Sequence, residues 1–401
     1  MNPAPTVAGD GTSISAILQA VREARAARPT VPLALATLVN VEGSSYRQPG
    51  ARLLVDAEQR VLAGAISGGC LEGDVAARAA EVCATNTPVL LRYDLREDLE
   101  TIWGFGAGCD GIAHVLMEPL TDIMWLQSAH DAMMRRTRPV LVTVFGSTKP
   151  HTALGEHELV EHAATSPQPL HIKSPLSTGQ PYVGVETRDG YTRNVLSEPL
   201  NAPVALHLIG AGRSAEAFAT IAAAMGWRVT VIDHRQALLA ELKLPDAVRR
   251  LVRRAEQGLN DLPMDGRTVV AILTHIFETD AAWLHQLLVR PVAYIGVLGS
   301  RNRAARLVEQ LARDGLAITS EMQRRLFAPI GLDLGGETPE SIALAGVAEM
   351  EAVLHERPGG FLRSRQSPIH TRTPVPLVVS DVIDATTDTC VVPRDARDQP
   401  V

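Results

Sequence analysis

Apolar residues at Ile14, Ile17, Leu18 and Val21 recur at three-and-four spacing, which predicts a helix over Ser13–Ala27 with one buried face. The same spacing at Leu71, Val75, Ala79, Val82 and Cys83 predicts a helix over Leu71–Ala84 and places Cys83 in a core. Leu33–Val39 reads as a strand, as do Arg52–Val55 and Val61–Ile66 on either side of Asp56–Gln59, and Val140–Phe145. Between Gly146 and Pro203 the chain is rich in Pro, Ser, Thr, Gly and His, so hairpins and a linker are expected there. From Val204 the pattern changes to regular alternation. Strands are expected at Val204–Ile209, Arg228–Ile232, Val269–Thr274 and Ala293–Leu298, with helices between them, notably Ser214–Met225. Strand–helix alternation of this kind builds parallel sheets. From about Ser364 prolines and charges accumulate, and the tail is expected to be extended or disordered. No internal repeat is visible.

The expected organisation follows: residues 1–150 form an α/β domain bearing cysteines, 151–203 an insert and linker, 204–360 a nucleotide-type domain, and 361–401 a tail. A chain of 401 residues is long for a single core. Its 46% hydrophobic and 21% charged residues are those of a folded globular protein. With 38 basic against 45 acidic side chains the net charge is −7, which argues against a general nucleic-acid surface. The basic pairs Arg249-Arg250 and Arg253-Arg254 are flanked by Asp246 and Glu256 and read as a solvated face. Met1–Thr12 lacks the basic and apolar regions of a signal peptide, and no apolar run approaches ~18 residues, so a soluble cytoplasmic protein without membrane contact is expected. Four cysteines, at positions 70, 83, 109 and 390, are too few for a disulfide framework.

Two of those cysteines sit in glycine-rich turns. Cys70 follows Ser67-Gly68-Gly69, and Cys109 follows Gly104-Phe105-Gly106-Ala107-Gly108. Glycines let the backbone approach a bulky ligand, and a thiol between them can touch it. Cys70 falls where a strand gives way to a helix, and a helix N-terminus favours thiolate. Soft thiolates suit zinc, copper and sulfur-rich centres, though neither cysteine has a Cys-x-x-Cys partner for zinc. His114 is the nearest base in sequence for a nucleophilic thiol, and small packing residues are the plainer alternative.

The second motif is Gly210-Ala211-Gly212-Arg213-Ser214-Ala215, between an expected strand and an expected helix. Gly210 would make the tight turn, Gly212 would admit a pyrophosphate, and Ala215 would allow close packing of helix on strand. Helix-start N–H groups would receive the anion. Asp233, 23 positions after Gly210, would accept a ribose hydroxyl. Arg235 could meet an extra phosphate or stack on a base, which leaves NAD, NADP and other nucleotides open. His275, Ser300 and Arg301 end further expected strands, where ligands of such folds collect. The fold class is therefore α/β: a mixed N-terminal α/β domain followed by a Rossmann-like, doubly wound parallel sheet.

At these motifs the chain resembles the xanthine dehydrogenase accessory (XdhC/CoxI) family. The resemblance runs from about Leu33 to Glu118 and from Val204 to Glu351. It is carried by Gly43-Ser44-Ser45-Tyr46-Arg47-Gln48-Pro49-Gly50-Ala51-Arg52, Ser67-Gly68-Gly69-Cys70-Leu71-Glu72 and Gly108-Cys109-Asp110-Gly111. In the second half it is carried by Tyr294-Ile295-Gly296-Val297-Leu298-Gly299-Ser300-Arg301 and the run Ala328–Glu340. Tyr46 stands where the family often has proline, and Asp110 where glycine is common. The resemblance implies a maturation factor. Such a protein binds molybdenum cofactor (molybdopterin or its dinucleotide form), keeps the sulfurated form from oxidation and delivers it to a molybdenum hydroxylase such as xanthine dehydrogenase. Cys70 and Cys109 would ligate or shield the molybdenum, Gly68, Gly69 and Gly108 would admit the pterin, and Arg47 and Arg52 would contact anions. The Gly210 loop would grip a phosphate or nucleotide half, in a cleft between the domains. A homodimer and a cysteine desulfurase partner complete the expectation. Two readings compete with it: an NAD(P)-dependent oxidoreductase using His275, and a sulfur carrier with a persulfide on Cys70 or Cys109.

Overall fold

A computed structural model describes residues 13–43, 45–96, 111–149, 154–161, 169–366, 375, 377–378 and 382–385. They fall into two compact units, one reaching to Ala202 and including the described tail after 369, the other beginning at Pro203.

The first unit contains α1 (Ile14–Ala27), β1 (Leu33–Gly43), β2 (Arg52–Asp56), β3 (Val61–Gly64), α2 (Glu72–Thr85), β4 (Val89–Asp94) and β5 (Gly111–Pro119). It continues with α3 (Met124–Met134), β6 (Val140–Ser147), β7 (Glu156–Val160), α4 (Leu170–Thr178), β8 (Tyr182–Arg188) and β9 (Tyr191–Pro199). Ser13 caps α1, its hydroxyl accepting the Ala16 N–H at 3.2 Å. Strands β4-β5-β1-β2-β3 pair antiparallel in that order. One face of this sheet packs against Val75, Ala79 and Val82 of α2. Its other face, through Val39, Leu90 and Leu116, meets Phe145 and Leu196 of a second antiparallel sheet, β7-β6-β9-β8. Helix α4 covers the far side of that second sheet with Ile172 against Val140, Val142 and Val195. The layers thus run helix, sheet, sheet, helix.

Residues 151–203 were expected to hold hairpins within an insert and linker; β8 and β9 do form a hairpin, but it is built into the second sheet of the first unit. The segment supplies β7, α4, β8 and β9, and β9 lies along the whole of β6. Arg193, Asn194, Ser197 and Glu198 are buried in β9 and made the segment look solvated. For Arg193, Asn194 and Glu198 burial is supported by polar partners. Glu198 takes both ends of the Arg52 guanidinium, at 3.0 and 2.5 Å, and Arg193 meets Glu186 at 2.9 Å.

The second unit contains β10 (Ala205–Ile209), α5 (Arg213–Ala224), β11 (Arg228–Asp233), α6 (Gln236–Glu241), β12 (Arg249–Val252) and β13 (Thr268–Ile272). Then come α7 (Phe277–Leu288), β14 (Tyr294–Val297), α8 (Arg301–Arg313), α9 (Ser320–Arg324), β15 (Leu326–Phe327) and α10 (Pro339–Leu354). All six strands are parallel, in the order β12-β11-β10-β13-β14-β15. Counted from β10 this is the 3-2-1-4-5-6 order of a Rossmann fold. The central strands are fully buried because α5 and α10 cover one face and α7 and α8 the other. The sheet reverses direction of winding between β10 and β13, so the crevice lies at the ends of those two strands. In the tail, β16 (Val382–Asp384) pairs parallel with β4 of the first unit, so this part of an expected extended tail is ordered into a sheet edge.

Candidate functional site

The turn that carries Cys70 is built by two side chains. Glu72 Oε1 accepts the Ile66 and Ser67 N–H groups at 3.1 and 2.8 Å, and the Ser67 hydroxyl donates to the other carboxylate oxygen. Ser67 Oγ in turn accepts the Gly69 and Leu71 N–H groups, each at 3.1 Å. Burial alone would raise the Glu72 carboxyl, but the donors from Ser67 and Ile66 outweigh it and hold the group ionised below its ordinary range. Cys70 is half-buried at the crest of this turn, its side chain against the core under α2. Gly69 has φ of +113°, and among the described residues a Cβ there would meet nothing within 4 Å, so the space over Gly69 is open. A Cβ on Gly68 would come to 3.7 Å from the ring of Tyr46, which is exposed. The Arg47 guanidinium lies 5.8 Å from that ring.

Arg52 is not a surface anion contact. It is buried, holding Glu198 and the Gly50 carbonyl at 2.9 Å, and so ties the first sheet to the second. His114 sits on β5 opposite Asn40, with 3.4 Å between Nδ1 and the amide. Its neighbours Ala113 and Val115 face α2, so His114 itself points to the other side of the sheet from the helix that Cys70 precedes. Burial, helped by Arg92, lowers the His114 imidazole to about 4. A Cys70–His114 pair is therefore not formed. Cys83 faces the same core as Val82 and is half-buried, and burial pushes its thiol up. Gly108 and Cys109 lie outside the described residues. Among the described residues no cluster of three His, Cys, Asp or Glu side chains could hold a metal ion.

In the second unit the Gly210 loop crosses the end of the sheet. Gly210 has φ of +116°, and a Cβ would stand 2.9 Å from both Leu273 C and Thr274 N on β13's trailing segment. Only glycine fits there. Gly212 is different: its Cβ would meet nothing within 4 Å. It precedes α5, whose first turn has no side-chain cap, so N–H groups open onto that space. Ala215 is fully buried in the first turn of α5.

Asp233 departs from the expected role. Oδ1 accepts the Arg235 N–H and Nε–H, both at 2.9 Å, while Oδ2 accepts the Ala211 N–H at 2.8 Å and Arg235 Nη2–H at 2.7 Å. A carboxylate has about four lone-pair sites, and all are taken, so Asp233 braces the loop and Arg235 instead of waiting for a ribose hydroxyl. Burial would raise this carboxyl, yet the Arg235 and Ala211 donors bring it to about 2. A pocket of about 210 Å³ opens beside it, lined by Gly210, Arg235, Arg254, Thr274 and Trp283 among others. His275 is exposed with φ of +61°, an uncommon conformation for a non-glycine residue. Ser300 caps α8, accepting the Arg303 N–H at 3.3 Å, and Arg301 is exposed at the first position of that helix.

Pattern reading missed what joins these loops. Asp280 is fully buried, accepts the Thr274 hydroxyl and pairs with Arg303 at 2.6 Å, linking the segments after β13 and β14. Glu349 of α10 accepts the Gly331 N–H at 2.8 Å and the Tyr294 hydroxyl, fixing the loop after β15. Such pairings join residues far apart in sequence and leave no local periodic sign.

Comparison with known proteins identifies the two regions of the chain. Residues 26–94 match the XdhC and CoxI family, and residues 206–350 match the XdhC Rossmann domain. A Bacillus subtilis protein described as a probable subunit of xanthine dehydrogenase is 30% identical over 320 residues, 79% of this chain and 91% of that one. The uncharacterised protein YqeB of Escherichia coli is 33% identical over 164 residues, 41% of this chain and 30% of its own length. A crystal structure described as a xanthine dehydrogenase from Bacillus halodurans superposes with a TM-score of 0.68 at 26% identity, covering 86% of this chain and 96% of that one. With both regions of the family matched and a relative aligned over nearly its whole length, the chain belongs to the XdhC/CoxI family.

Proposed function

We propose that this chain is an accessory protein of a xanthine dehydrogenase-type molybdenum hydroxylase, which binds molybdenum cofactor, shelters its sulfurated form and passes it to the enzyme. The observation that carries the reading is the pairing of a half-exposed thiol, Cys70, with open ground at Gly69, in a chain of this family. The name of the B. subtilis relative points to the same client.

The residues suit such a cargo. Cys70 is a soft donor for a molybdenum–sulfur centre, Gly68 and Gly69 leave space for a pterin, and Arg47 offers a cation to its phosphate. Cys109 and Gly108 belong to the same reading. Gly212 and the uncapped start of α5 suit a phosphate. When bound, the cofactor supplies the metal–sulfur chemistry, and the protein's own part is to hold and to shield. Ser67 and Glu72 keep the Cys70 turn in shape without themselves occupying the ligand's space. A second copy of the chain and a cysteine desulfurase are the further partners proposed, and the reducing cytoplasm is the proposed place of work. Among the described residues no helix is long and apolar enough to cross a membrane.

The test is an oxygen-free titration of the purified chain with isolated molybdenum cofactor, read by pterin fluorescence. Cys70→Ala should weaken binding by at least about tenfold, the loss of ~1.4 kcal/mol of contact. Equal binding by wild type and variant would remove Cys70 from the site.

A further inference from the structure

The end of β11 holds a carboxylate and an arginine whose pairing bears on ligand choice. In Rossmann folds a free carboxylate at this strand end receives the two hydroxyls of a ribose, whereas an arginine nearby receives a phosphate placed on that ribose. Here the carboxylate is present but spent. All four acceptor positions of Asp233 are filled, three of them by Arg235. The guanidinium gives Asp233 only its Nε–H and one Nη2–H, so three of its five N–H groups are left for another acceptor. Arg235 is also the more accessible partner, its side chain 39% exposed against 2% for Asp233.

The surroundings carry both signs of charge. Arg253 and Arg254, at the end of β12, line the same pocket as Arg235 and His234. Arg253 is held by Asp261, with 3.1 Å from Nη2, while the Arg254 side chain is exposed. Glu256 and Glu278 line the pocket too, so its charge is not uniformly positive. A phosphomonoester at Arg235 would gain charge-assisted bonds without displacing anything. A ribose diol would first have to break the Asp233–Arg235 fork.

We propose that the second unit is selective for nucleotides phosphorylated on the ribose, of the 2′-phosphate class represented by NADPH, over nucleotides with a free ribose diol. The inference rests on reading this strand-end edge as a nucleotide site, and does not depend on a cofactor at Cys70. Free nucleotides therefore test it alone, and the pterin titration tests the other reading alone.

The experiment is calorimetric titration of the full chain with NADPH and NADH, followed by 2′,5′-ADP and ordinary 5′-ADP, which differ in where the second phosphate sits. NADPH should bind at least about tenfold tighter than NADH, and 2′,5′-ADP tighter than 5′-ADP. Arg235→Ala should abolish the preference and improve NADH binding, because it releases the Asp233 carboxylate to the diol. Equal or tighter binding of NADH by the wild type would overturn the proposal, and so would failure of both dinucleotides to bind at millimolar concentration. The wild-type comparison decides the matter even where the variant fails to fold.

Discussion

Gly210 and Gly212, two residues apart, are glycine for different reasons. At Gly210 a methyl group would meet backbone atoms at 2.9 Å on a positive φ, so Gly210→Ala should cost roughly 2 kcal/mol or more in chemical denaturation. At Gly212 nothing stands in the way, and the alanine variant should fold within about 0.5 kcal/mol of wild type while binding phosphate ligands more weakly. The Arg52–Glu198 pair belongs to the same scale. Removing one member strands a buried charge, so Glu198→Ala should lose about 3–5 kcal/mol, read from the denaturant midpoint. Asp233 adds a pH dependence. Its folded pKa of about 2 lies below the ordinary ~3.9, so its contribution is complete above that ordinary value and lost as pH falls through the folded one. Asp233→Asn should therefore be less stable near neutrality by about 2 kcal/mol, and should lose less stability on acidification than wild type. An identical acid profile for the two proteins would contradict the four-bond geometry.

Among the elements, α5 and α10 meet so closely that a Cβ on Gly346 would lie 2.6 Å from the Phe218 ring. Gly346→Ala should push the helices apart and cost about 1–3 kcal/mol, seen as a lower melting temperature. Elements with one clear period were legible from sequence. Helix α1 begins one residue after its expected start, and β10, β11 and β14 lie within a residue or so of their expected bounds. The elements that escaped have physical reasons. Strand β5 is buried on both faces for eight successive residues, so it shows no alternation. Strand β9 buries Arg193, Asn194, Ser197 and Glu198, and its polar composition imitated a linker. Here ion pairing with distant residues overrode the usual link between polarity and exposure.

At the scale of the whole molecule, the parallel sheet and its glycine loop were readable because both follow from local order: strand, turn, helix, strand. The second sheet of the first unit was not, because its members are brought together only by the fold. The same holds for the sites. The turns at Gly69-Cys70 and Gly212 were legible as motifs, while the saturation of Asp233 and the Thr274–Asp280–Arg303 link required coordinates. Both units present ground that the protein itself leaves open, beside Cys70 in one and before α5 in the other. In the proposed function these are places for cargo. The most direct measurement is molybdenum and pterin analysis of the chain purified, without oxygen, from cells that make molybdenum cofactor. A cofactor carrier should hold pterin and molybdenum in near-equal amount to the protein, both falling in Cys70→Ala. A chain that carries neither, yet turns over a nicotinamide nucleotide with a small substrate, would contradict that role.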